Sequence, residues 1–190
     1  MKTASYSTSS NTREQIIQVA QQLIQTRSYL GFSFQDIADE IGIRKASLYH
    51  HFPSKEALGE EVIREATAQF REWVDGMGIS PEKKLKAYFL MYRNALHAGR
   101  GVCPAGALAP GWDCINDDLR DAVRELRNTQ VAWLTAVLEA SNLKGARPAA
   151  KLASYIFTVC QGALISARMT EDVADFDEVI AQLNDILHSK

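Results

Sequence analysis

Hydrophobic residues recur at helical spacing along most of this chain. In the first such segment Ile16, Val19, Ala20 and Leu23 follow one another by three or four residues, which places them on one face of a helix. Later segments repeat the spacing, and none shows the sustained hydrophobic–polar alternation of a half-buried strand. The chain is therefore predicted to be all-α, with about nine helices.

Local signals predict where these helices begin and end. Residues 1–11 are rich in Ser, Thr and Asn, which predicts a disordered tail. Thr12 and Gln15 have the spacing of a capping box, so the first helix is expected to begin at Thr12 and to end near Arg27. The other predicted helices cover residues 34–41, 44–51, 54–75, 117–141, 148–169 and 176–187, one begins at Pro81, and the turn-rich segment 99–111 has room for a short one.

Two brief helices, over residues 34–41 and 44–51, are joined across Gly42. Ser33 and Asp36 have the spacing that caps the first of them. Such a pair across a glycine-containing turn is typical of a helix-turn-helix, whose second helix enters the major groove of DNA. The sequence thus predicts a DNA-binding domain over residues 12–55 and a second domain over residues 56–190.

The residues of this motif also resemble one known family. The string Ile-Arg-Lys-Ala-Ser-Leu-Tyr-His-His-Phe-Pro-Ser-Lys-Glu-Ala-Leu, from Ile43 to Leu58, is similar to the recognition helix and following turn of the tetracycline-repressor (TetR/AcrR) family of bacterial regulators. The resemblance implies a ligand-responsive transcriptional regulator, usually a repressor. It also implies that residues 56–190 bind a small effector and form a homodimer, which reads a pseudo-palindromic double-stranded DNA operator.

Candidate DNA contacts follow from the chemistry of phosphates and base edges. Phosphates are bound by cations, hydroxyls and the backbone amides of helix N-termini, and bases are read from the exposed face of the recognition helix. The family resemblance implies that Tyr49, His50 and Lys55 contact the phosphate backbone of DNA. The full set of predicted DNA-binding residues is Thr12, Arg13, Ser33, Phe34, Arg44, Lys45, Ala46, Ser47, Tyr49, His50 and Lys55.

Arg44 departs from the family pattern, in which Ser or Thr often stands at this position. Arginine is a poor N-cap, and its charge opposes the helix dipole. Nearby phosphates or a guanine would offset this cost, so Arg44 is predicted to contact DNA. On the second helix of the pair, over residues 44–51, Ala46 and Leu48 are expected to pack inward.

Aromatic side chains are spread over the second domain, where the resemblance implies a ligand cavity. Aromatic walls with a few polar groups are typical of such sites, although the same side chains would serve equally as ordinary core. The effector is expected to be apolar or aromatic. The predicted ligand-binding residues are Trp73, Tyr88, Tyr92, His97, Cys103, Trp112, Trp133 and Phe157.

The last two predicted helices are candidates for the dimer interface. Small residues over 148–169 permit close helix approach, and residues 176–187 carry a heptad-like stripe. The alternative is that the same stripe packs within one chain. The predicted dimerisation residues are Ala153, Phe157, Cys160, Leu164, Phe176, Ile180, Leu183 and Leu187.

Cysteine chemistry offers two alternative functions. Cys103 lies near His97 and Arg100 in sequence, and neighbouring cations lower thiol pKa values, so Cys103 with Cys114 would suit a redox- or electrophile-sensing regulator of the same fold. A Cys-dependent enzyme is the other alternative. The chain contains no Gly-x-Ser-x-Gly, phosphate-binding loop or dinucleotide fingerprint, so no enzyme is predicted. His97, Cys103 and Cys114 are too loosely spaced to predict a metal site, and no cofactor is expected.

Charge and composition agree with this interpretation. The 190 residues carry a net charge of −2. Residues 1–55 contain six of the 21 Lys and Arg and four of the 23 Asp and Glu, which leaves 15 basic and 19 acidic residues for the remainder. The excess of positive charge therefore lies in the part predicted to meet DNA. Three irregularly spaced cysteines, no secretory signal and no apolar run near the roughly 20 residues of a membrane span predict a cytoplasmic protein without a membrane partner.

Overall fold

The structure is a computed structural model that describes residues 5–99, 102–141, 143 and 148–188. Helices account for almost all of this part of the chain, and it contains no strand. The nine α-helices are α1 (Ser5–Arg27), α2 (Phe34–Ile41), α3 (Lys45–His51), α4 (Lys55–Asp75), α5 (Pro81–His97), α6 (Pro104–Ala107), α7 (Asp117–Ala140), α8 (Ala149–Thr170) and α9 (Val173–His188). Short 3-10 helices cover Tyr29–Gly31 and Ala109–Cys114. The all-α prediction is confirmed.

The first helix begins earlier than its sequence indicates. α1 starts at Ser5, so residues 5–11 are helical and not a disordered tail, and residues 1–4 lie outside the described part. A capping residue needs extended backbone just before a helix, whereas Thr12 lies within α1. The predicted capping box at Thr12 and Gln15 is therefore wrong. Local hydroxyl and amide side chains only weakly disfavour helix, and the regular pattern that follows them outweighs this preference.

The motif helices have the predicted ends. The Ser33 hydroxyl accepts from the Asp36 amide while the Asp36 carboxylate accepts from the Ser33 amide, which completes the capping box before α2. Gly42 ends α2 with φ of 77°, a left-handed conformation that glycine adopts without strain. Arg44 occupies the N-cap of α3 and makes no side-chain capping bond. The Ser54 hydroxyl accepts from the Ala57 amide at 3.1 Å and begins α4.

A small apolar core holds α1, α2 and α3 together. Ile16, Ile24, Ile37 and Leu48 are fully buried there, and Phe52 closes the junction after α3. Ala46, however, is exposed, so the prediction that it packs inward is wrong. A helix as short as α3 has only one buried face, and Leu48 occupies it.

The second domain is a bundle of long helices. α7 packs between α4 and α8, α9 packs on α8, and α5 contacts α7, α8 and α9. The Arg93 guanidinium binds the Asp177 carboxylate through two nitrogens and joins α5 to α9. α8 is long and apolar enough to meet the length and hydropathy of a membrane span. It nevertheless buries eight residues in the core, including Leu152 and Leu164.

α4 belongs to both domains. It follows α3 after a three-residue connection, contacts α1 near its beginning and contacts α7 along its length. Gly59 allows α4 to pack closely on Tyr29 and α7, because an added Cβ would lie 3.0 Å from the Tyr29 ring and 3.1 Å from a Leu119 methyl. Further along, Arg71 binds Glu125 of α7 at 2.9 Å. Only residues 52–54 separate the DNA-reading helix α3 from α4, which continues into the second domain.

Candidate DNA-reading surface and effector cavity

The outward face of α3 carries most of the predicted DNA-reading side chains. Arg44, Lys45, Ala46, Tyr49 and His50 are exposed, Ser47 is half-buried, and Leu48 anchors the opposite face in the core. Cations, a hydroxyl and an imidazole are thereby presented together on one short helix. Such a surface can approach phosphates and base edges without rearrangement.

Phe34 takes a different position from the one its predicted role suggests. Its side chain is buried and packs on the Tyr49 ring with centroids 5.0 Å apart. Only its backbone amide, at the first turn of α2, remains suited to a phosphate. The ring contact instead supports Tyr49, which is 53% exposed. The neighbouring Ser33 hydroxyl donates to the Asp36 carboxylate at 2.6 Å, and hydrogen bonds from Ser33 hold the pKa of Asp36 below its usual range.

Arg13 and Thr12 are not at a helix start. The Arg13 guanidinium binds Glu61 of α4 at 2.8 Å and lies 5.1 Å from the centre of the Phe52 ring. Arg13 therefore links α1 to the beginning of α4. The argument that amides at a helix N-terminus near Thr12 bind phosphate is wrong, because that terminus is at Ser5.

Lys55 is held inside the DNA-binding unit. Its ammonium donates to the Phe32 carbonyl and lies 4.2 Å and 4.7 Å from the ring centres of Phe32 and Tyr29. Burial lowers its pKa. These contacts fasten the start of α4 to the segment before α2, which is a positioning role. A phosphate contact by Lys55 stays a prediction.

A cavity of about 570 Å³ opens between α1, α4, α5, α7, α8 and the segment 102–104. Three of the predicted ligand-binding side chains line it, namely Trp73, Tyr92 and Cys103. Its remaining lining residues are Gln21, Gln25, Ala66, Gln69, Phe70, Ala87, Leu90, Met91, Asn94, Ala95, Val102, Pro104, Leu126, Gln130 and Leu164. The volume and the largely apolar wall are those of a small-molecule site.

Five predicted ligand-binding residues lie away from this lining. Tyr88 and Trp133 stand behind it, with ring centres 5.7 Å apart, and support the rings of Phe70 and Trp73. The others lie further off. His97 is exposed at the end of α5, Trp112 packs under Arg124, and Phe157 is buried beneath Arg127. Helical periodicity indicates which aromatic residues face inward, but not which face the void.

A hydrogen-bonded polar cluster lies at the inner end of the cavity. The hydroxyls of Tyr88 and Tyr92 donate to Gln130 Oε1 at 2.9 Å and 2.7 Å, and Gln161 Nε2 donates to the Tyr92 hydroxyl at 3.1 Å. Burial raises the pKa of both phenols well above the usual value, so both remain neutral donors. Gln130 is only 3% exposed and was not among the predicted site residues. A glutamine within the hydrophobic stripe of α7 was the sequence signal that could have identified it.

Gln25 and Arg168 join the cavity to two other parts of the fold. Gln25 lines the cavity, and its Nε2 donates to the Val102 carbonyl at 3.3 Å. Its backbone carbonyl accepts from Arg168 Nη1 at 2.7 Å, and Arg168 Nη2 donates to the Thr26 carbonyl. The end of α1 is thus fastened both to the segment beside Cys103 and to the end of α8. No sequence signal links residues so far apart.

The cysteines do not have the environment of a sensing thiol. Burial raises the pKa of the Cys103 thiol despite hydrogen bonds that oppose the shift, and it raises that of Cys160 to about 12. His97 is exposed at the end of α5, and Arg100 lies outside the described residues. Cys114 is exposed and, like the other two, free. The argument that nearby cations activate Cys103 is therefore not supported.

All eight predicted dimerisation residues are buried within the single chain. Each has between 0% and 8% of its surface exposed, because their stripes pack α8 and α9 on each other and on α7 and α5. Their assignment to a dimer interface is wrong. The opposite face of α8 exposes Tyr155, Ile165 and Met169 among polar side chains, while α9 exposes Ile186. An added Cβ at Gly162, on the same face, would meet open space.

Together, the reading helix and the helical domain that encloses a cavity define a helix-turn-helix DNA-binding protein. Comparison with known families agrees. The profile described as "Bacterial regulatory proteins, tetR family" matches residues 16–62. The profile described as "Transcriptional regulator LmrA/YxaF-like, C-terminal domain" matches residues 81–182, more than half of the chain. The chain belongs to the tetR family of bacterial transcriptional regulators.

Individual relatives agree with this assignment. An uncharacterised HTH-type transcriptional regulator of Lactococcus lactis is 28% identical over 86% of this chain and 86% of its own length. The repressor KstR2 of Mycolicibacterium smegmatis is 36% identical, but the match covers 41% of this chain and 40% of that protein. A tetR-family regulator from Agrobacterium tumefaciens superposes with a TM-score of 0.85 at 28% identity, over 93% of this chain and 98% of that one. The protein is accordingly a DNA-binding regulator and not an enzyme.

Proposed function

We propose that this protein is a dimeric transcriptional repressor whose affinity for its operator is set by a small molecule in the cavity between α1, α4, α5, α7 and α8. One observation carries the proposal. α4 begins directly after the reading helix and supplies Ala66, Gln69, Phe70 and Trp73 to the cavity wall. An effector that displaces this wall therefore acts on the same helix that positions α3.

The DNA contacts we propose centre on α3. Arg44 and Lys45 lie at its exposed beginning, and Tyr49 and His50 lie one turn further. Arg44 makes no capping bond and its charge opposes the helix dipole. A phosphate or a guanine would supply the negative partner that the N-cap position lacks. Arg44 is therefore the residue on which we place the largest share of DNA affinity.

We propose that two chains associate through the outward faces of α8 and α9. Tyr155, Ile165 and Met169 form an apolar stripe on α8, Gly162 leaves room for a close helix, and Ile186 extends the surface onto α9. Apolar surface of this kind is stabilised by covering it with a second copy. A two-fold pair of reading helices fits a pseudo-palindromic operator. A regulator of chromosomal genes acts in the bacterial cytoplasm, where we place this protein.

Switching requires that the effector bind one of two arrangements of the dimer more tightly than the other. In the arrangement released from DNA, the cavity wall on α4 would accommodate the effector. Because only residues 52–54 separate α4 from α3, a tilt of α4 would change the separation of the two reading helices. The coupling is reciprocal, so operator DNA would weaken effector binding by the same factor.

The test is to select DNA fragments with the purified full-length protein and to measure affinity for a selected fragment by fluorescence anisotropy over a range of salt concentrations. We expect Arg44→Ala to weaken binding by about 1–3 kcal/mol per half-site if Arg44 contacts a base, or to lower the salt slope by about one per lost phosphate contact. Arg124→Ala is the matched control, since Arg124 is an exposed arginine on α7 paired with Asp121. Unchanged affinity and salt slope in Arg44→Ala would contradict the proposed reading surface.

A further inference from the structure

We infer that Ser28 is a strained joint between α1 and the reading helices, and that its strain favours the operator-bound arrangement of the protein over the present one. The direction of this bias rests on the proposed function, which assigns an open cavity to the arrangement released from DNA. Three observations carry the inference: the backbone angles of Ser28, the contacts that hold both of its neighbouring segments, and the open cavity of the present arrangement.

The first observation is the backbone of Ser28, which directly follows α1. Its φ is 62° and its ψ is 166°. A left-handed residue at the end of a helix has a similar φ but a ψ of about 47°, so Ser28 is not an ordinary helix cap. The combination found at Ser28 is adopted almost only by glycine, because a Cβ makes it unfavourable. The Ser28 side chain makes no capping hydrogen bond that would offset this strain.

The second observation is that the segments on both sides of Ser28 are held by the second domain. On the α1 side, Arg168 of α8 donates to two carbonyls in the last turn of α1. On the other side, Leu30 lies against Gly111, where an added Cβ would come within 3.0 Å of the Leu30 side chain. Strained backbone persists only where surrounding contacts fix it. We therefore attribute the angles of Ser28 to these two contacts.

Tyr29, the residue after Ser28, keeps the strain from being relieved locally. Its side chain is 3% exposed, and it packs on Gly59 of α4, where an added Cβ would lie 3.0 Å from the ring. The Lys55 ammonium covers the same ring, 4.7 Å from its centre. Because Tyr29 is held by α4 and the last turn of α1 is held by α8, Ser28 can relax only when the DNA-binding unit shifts on the second domain.

The third observation gives the direction of the bias. The present arrangement contains the cavity of about 570 Å³, which the proposed switch assigns to the arrangement released from DNA. Strain at Ser28 raises the free energy of this arrangement and therefore favours operator binding. Strain of this kind shifts an equilibrium about 5- to 150-fold. To reverse the bias, the effector must prefer the present arrangement by at least this factor.

Paired substitutions detect the strain. Glycine adopts the angles of Ser28 without strain and alanine does not, so urea unfolding should show Ser28→Gly more stable than Ser28→Ala by at least about threefold in the unfolding equilibrium constant. Gln22, on the exposed side of α1, is the matched control. There the order should be opposite, with Gln22→Ala more stable than Gln22→Gly, because glycine disfavours helix. The same order at both positions overturns the inference.

The functional test compares the same two Ser28 variants for affinity to a DNA fragment selected by the full-length protein, measured by fluorescence anisotropy. Ser28→Gly removes the strain from the arrangement with the open cavity and should weaken DNA binding by at least about fivefold. Ser28→Ala keeps the strain and should bind like the parent. Equal affinity of the two variants, or tighter binding by Ser28→Gly, overturns the inference.

Arg168→Gln tests whether the contact with α1 holds the strain. It releases one of the two contacts, so the difference in stability between Ser28→Gly and Ser28→Ala should shrink in this background. A difference that stays the same overturns the attribution to Arg168. If Arg168→Gln does not fold, Leu30→Ala gives the same comparison from the other side, since Leu30 is 53% exposed and its removal is mild.

A variant of the cavity separates this inference from the proposed function. Ala95 lines the cavity, and Ala95→Trp fills it from α5, so the proposed switch requires weaker DNA binding in this variant. Affinity like that of the parent in folded Ala95→Trp, together with weaker binding in Ser28→Gly, would contradict the switch and leave the strained joint standing. Weaker binding in Ala95→Trp, together with unchanged affinity in Ser28→Gly, would leave the switch standing and overturn the role of Ser28.

Discussion

Replacing Gln130 by methionine tests the buried cluster at the inner end of the cavity. Gln130 Oε1 accepts from two phenols, at 2.9 Å from Tyr88 and 2.7 Å from Tyr92. Methionine has nearly the same length but accepts hydrogen bonds only weakly. The substitution therefore removes the acceptor while it keeps most of the packing.

The expected loss can be worked out group by group. The two hydroxyls lie 3.2 Å apart, so one phenol can donate to the other once Gln130 is gone. Tyr92 keeps the bond that it accepts from Gln161. One buried hydroxyl is then left without an acceptor, at a cost of about 1–3 kcal/mol. We expect Gln130→Met to lower the free energy of unfolding by about 2 kcal/mol, or the Tm by about 4–8 °C for a chain of this size.

The assay is urea unfolding at one fixed protein concentration, because the stability of the proposed dimer would depend on concentration. Gln18→Met on the exposed side of α1 is the matched control and should change stability by less than about 0.5 kcal/mol. Adding both Tyr88→Phe and Tyr92→Phe to Gln130→Met should restore part of the loss, since no phenol is then left without an acceptor. A loss below about 0.5 kcal/mol, or a further loss on adding the two phenylalanines, would refute the reasoning.

Two further predictions follow from the titratable groups. Asp36 has a lowered pKa because of its hydrogen bonds with Ser33, so its contribution to stability is present above the unfolded pKa of about 4 and is lost as the pH falls through the folded value. Urea unfolding should therefore show that Asp36→Asn is less stable than the parent at pH 7 and that the difference vanishes in acid. A difference in stability that persists in acid would contradict the assignment. Iodoacetamide should modify Cys114 first in the folded protein, because Cys114 is exposed while burial raises the pKa of Cys103. Peptide mass spectrometry would show this order, and equal labelling of the two cysteines would contradict it.

Local signals in the sequence predicted the DNA-binding unit well. Caps and breakers act within a few residues, so Ser33, Gly42 and Ser54 placed α2 and the start of α4 without knowledge of the remaining chain. On α3 the inward position of Leu48 was predicted, whereas Ala46 was expected to pack inward and is exposed. The start of α1 was missed because a possible cap at Thr12 does not prevent a helix from continuing through it.

The second domain was predicted in kind but not in residue detail. Periodicity identified the stripe of α8 that bears Cys160 and Leu164, but it could not show that this stripe packs within the chain while Ile165 and Met169 on the other side are exposed. The cavity wall depends on how five helices meet. Residues such as Gln25, from the DNA-binding part of the chain, enter it only through that arrangement.

Arg168 has a mechanical consequence for any movement of the reading helices. Its guanidinium donates to the Gln25 and Thr26 carbonyls at the end of α1, and the same end of α1 is bonded to the Val102 carbonyl through Gln25 Nε2. α1 also packs on α4. Because α1 is held to α8, to Val102 and to α4, the DNA-binding unit can tilt on the second domain only if some of these contacts lengthen or break. The strength of these contacts therefore limits how far α3 can move.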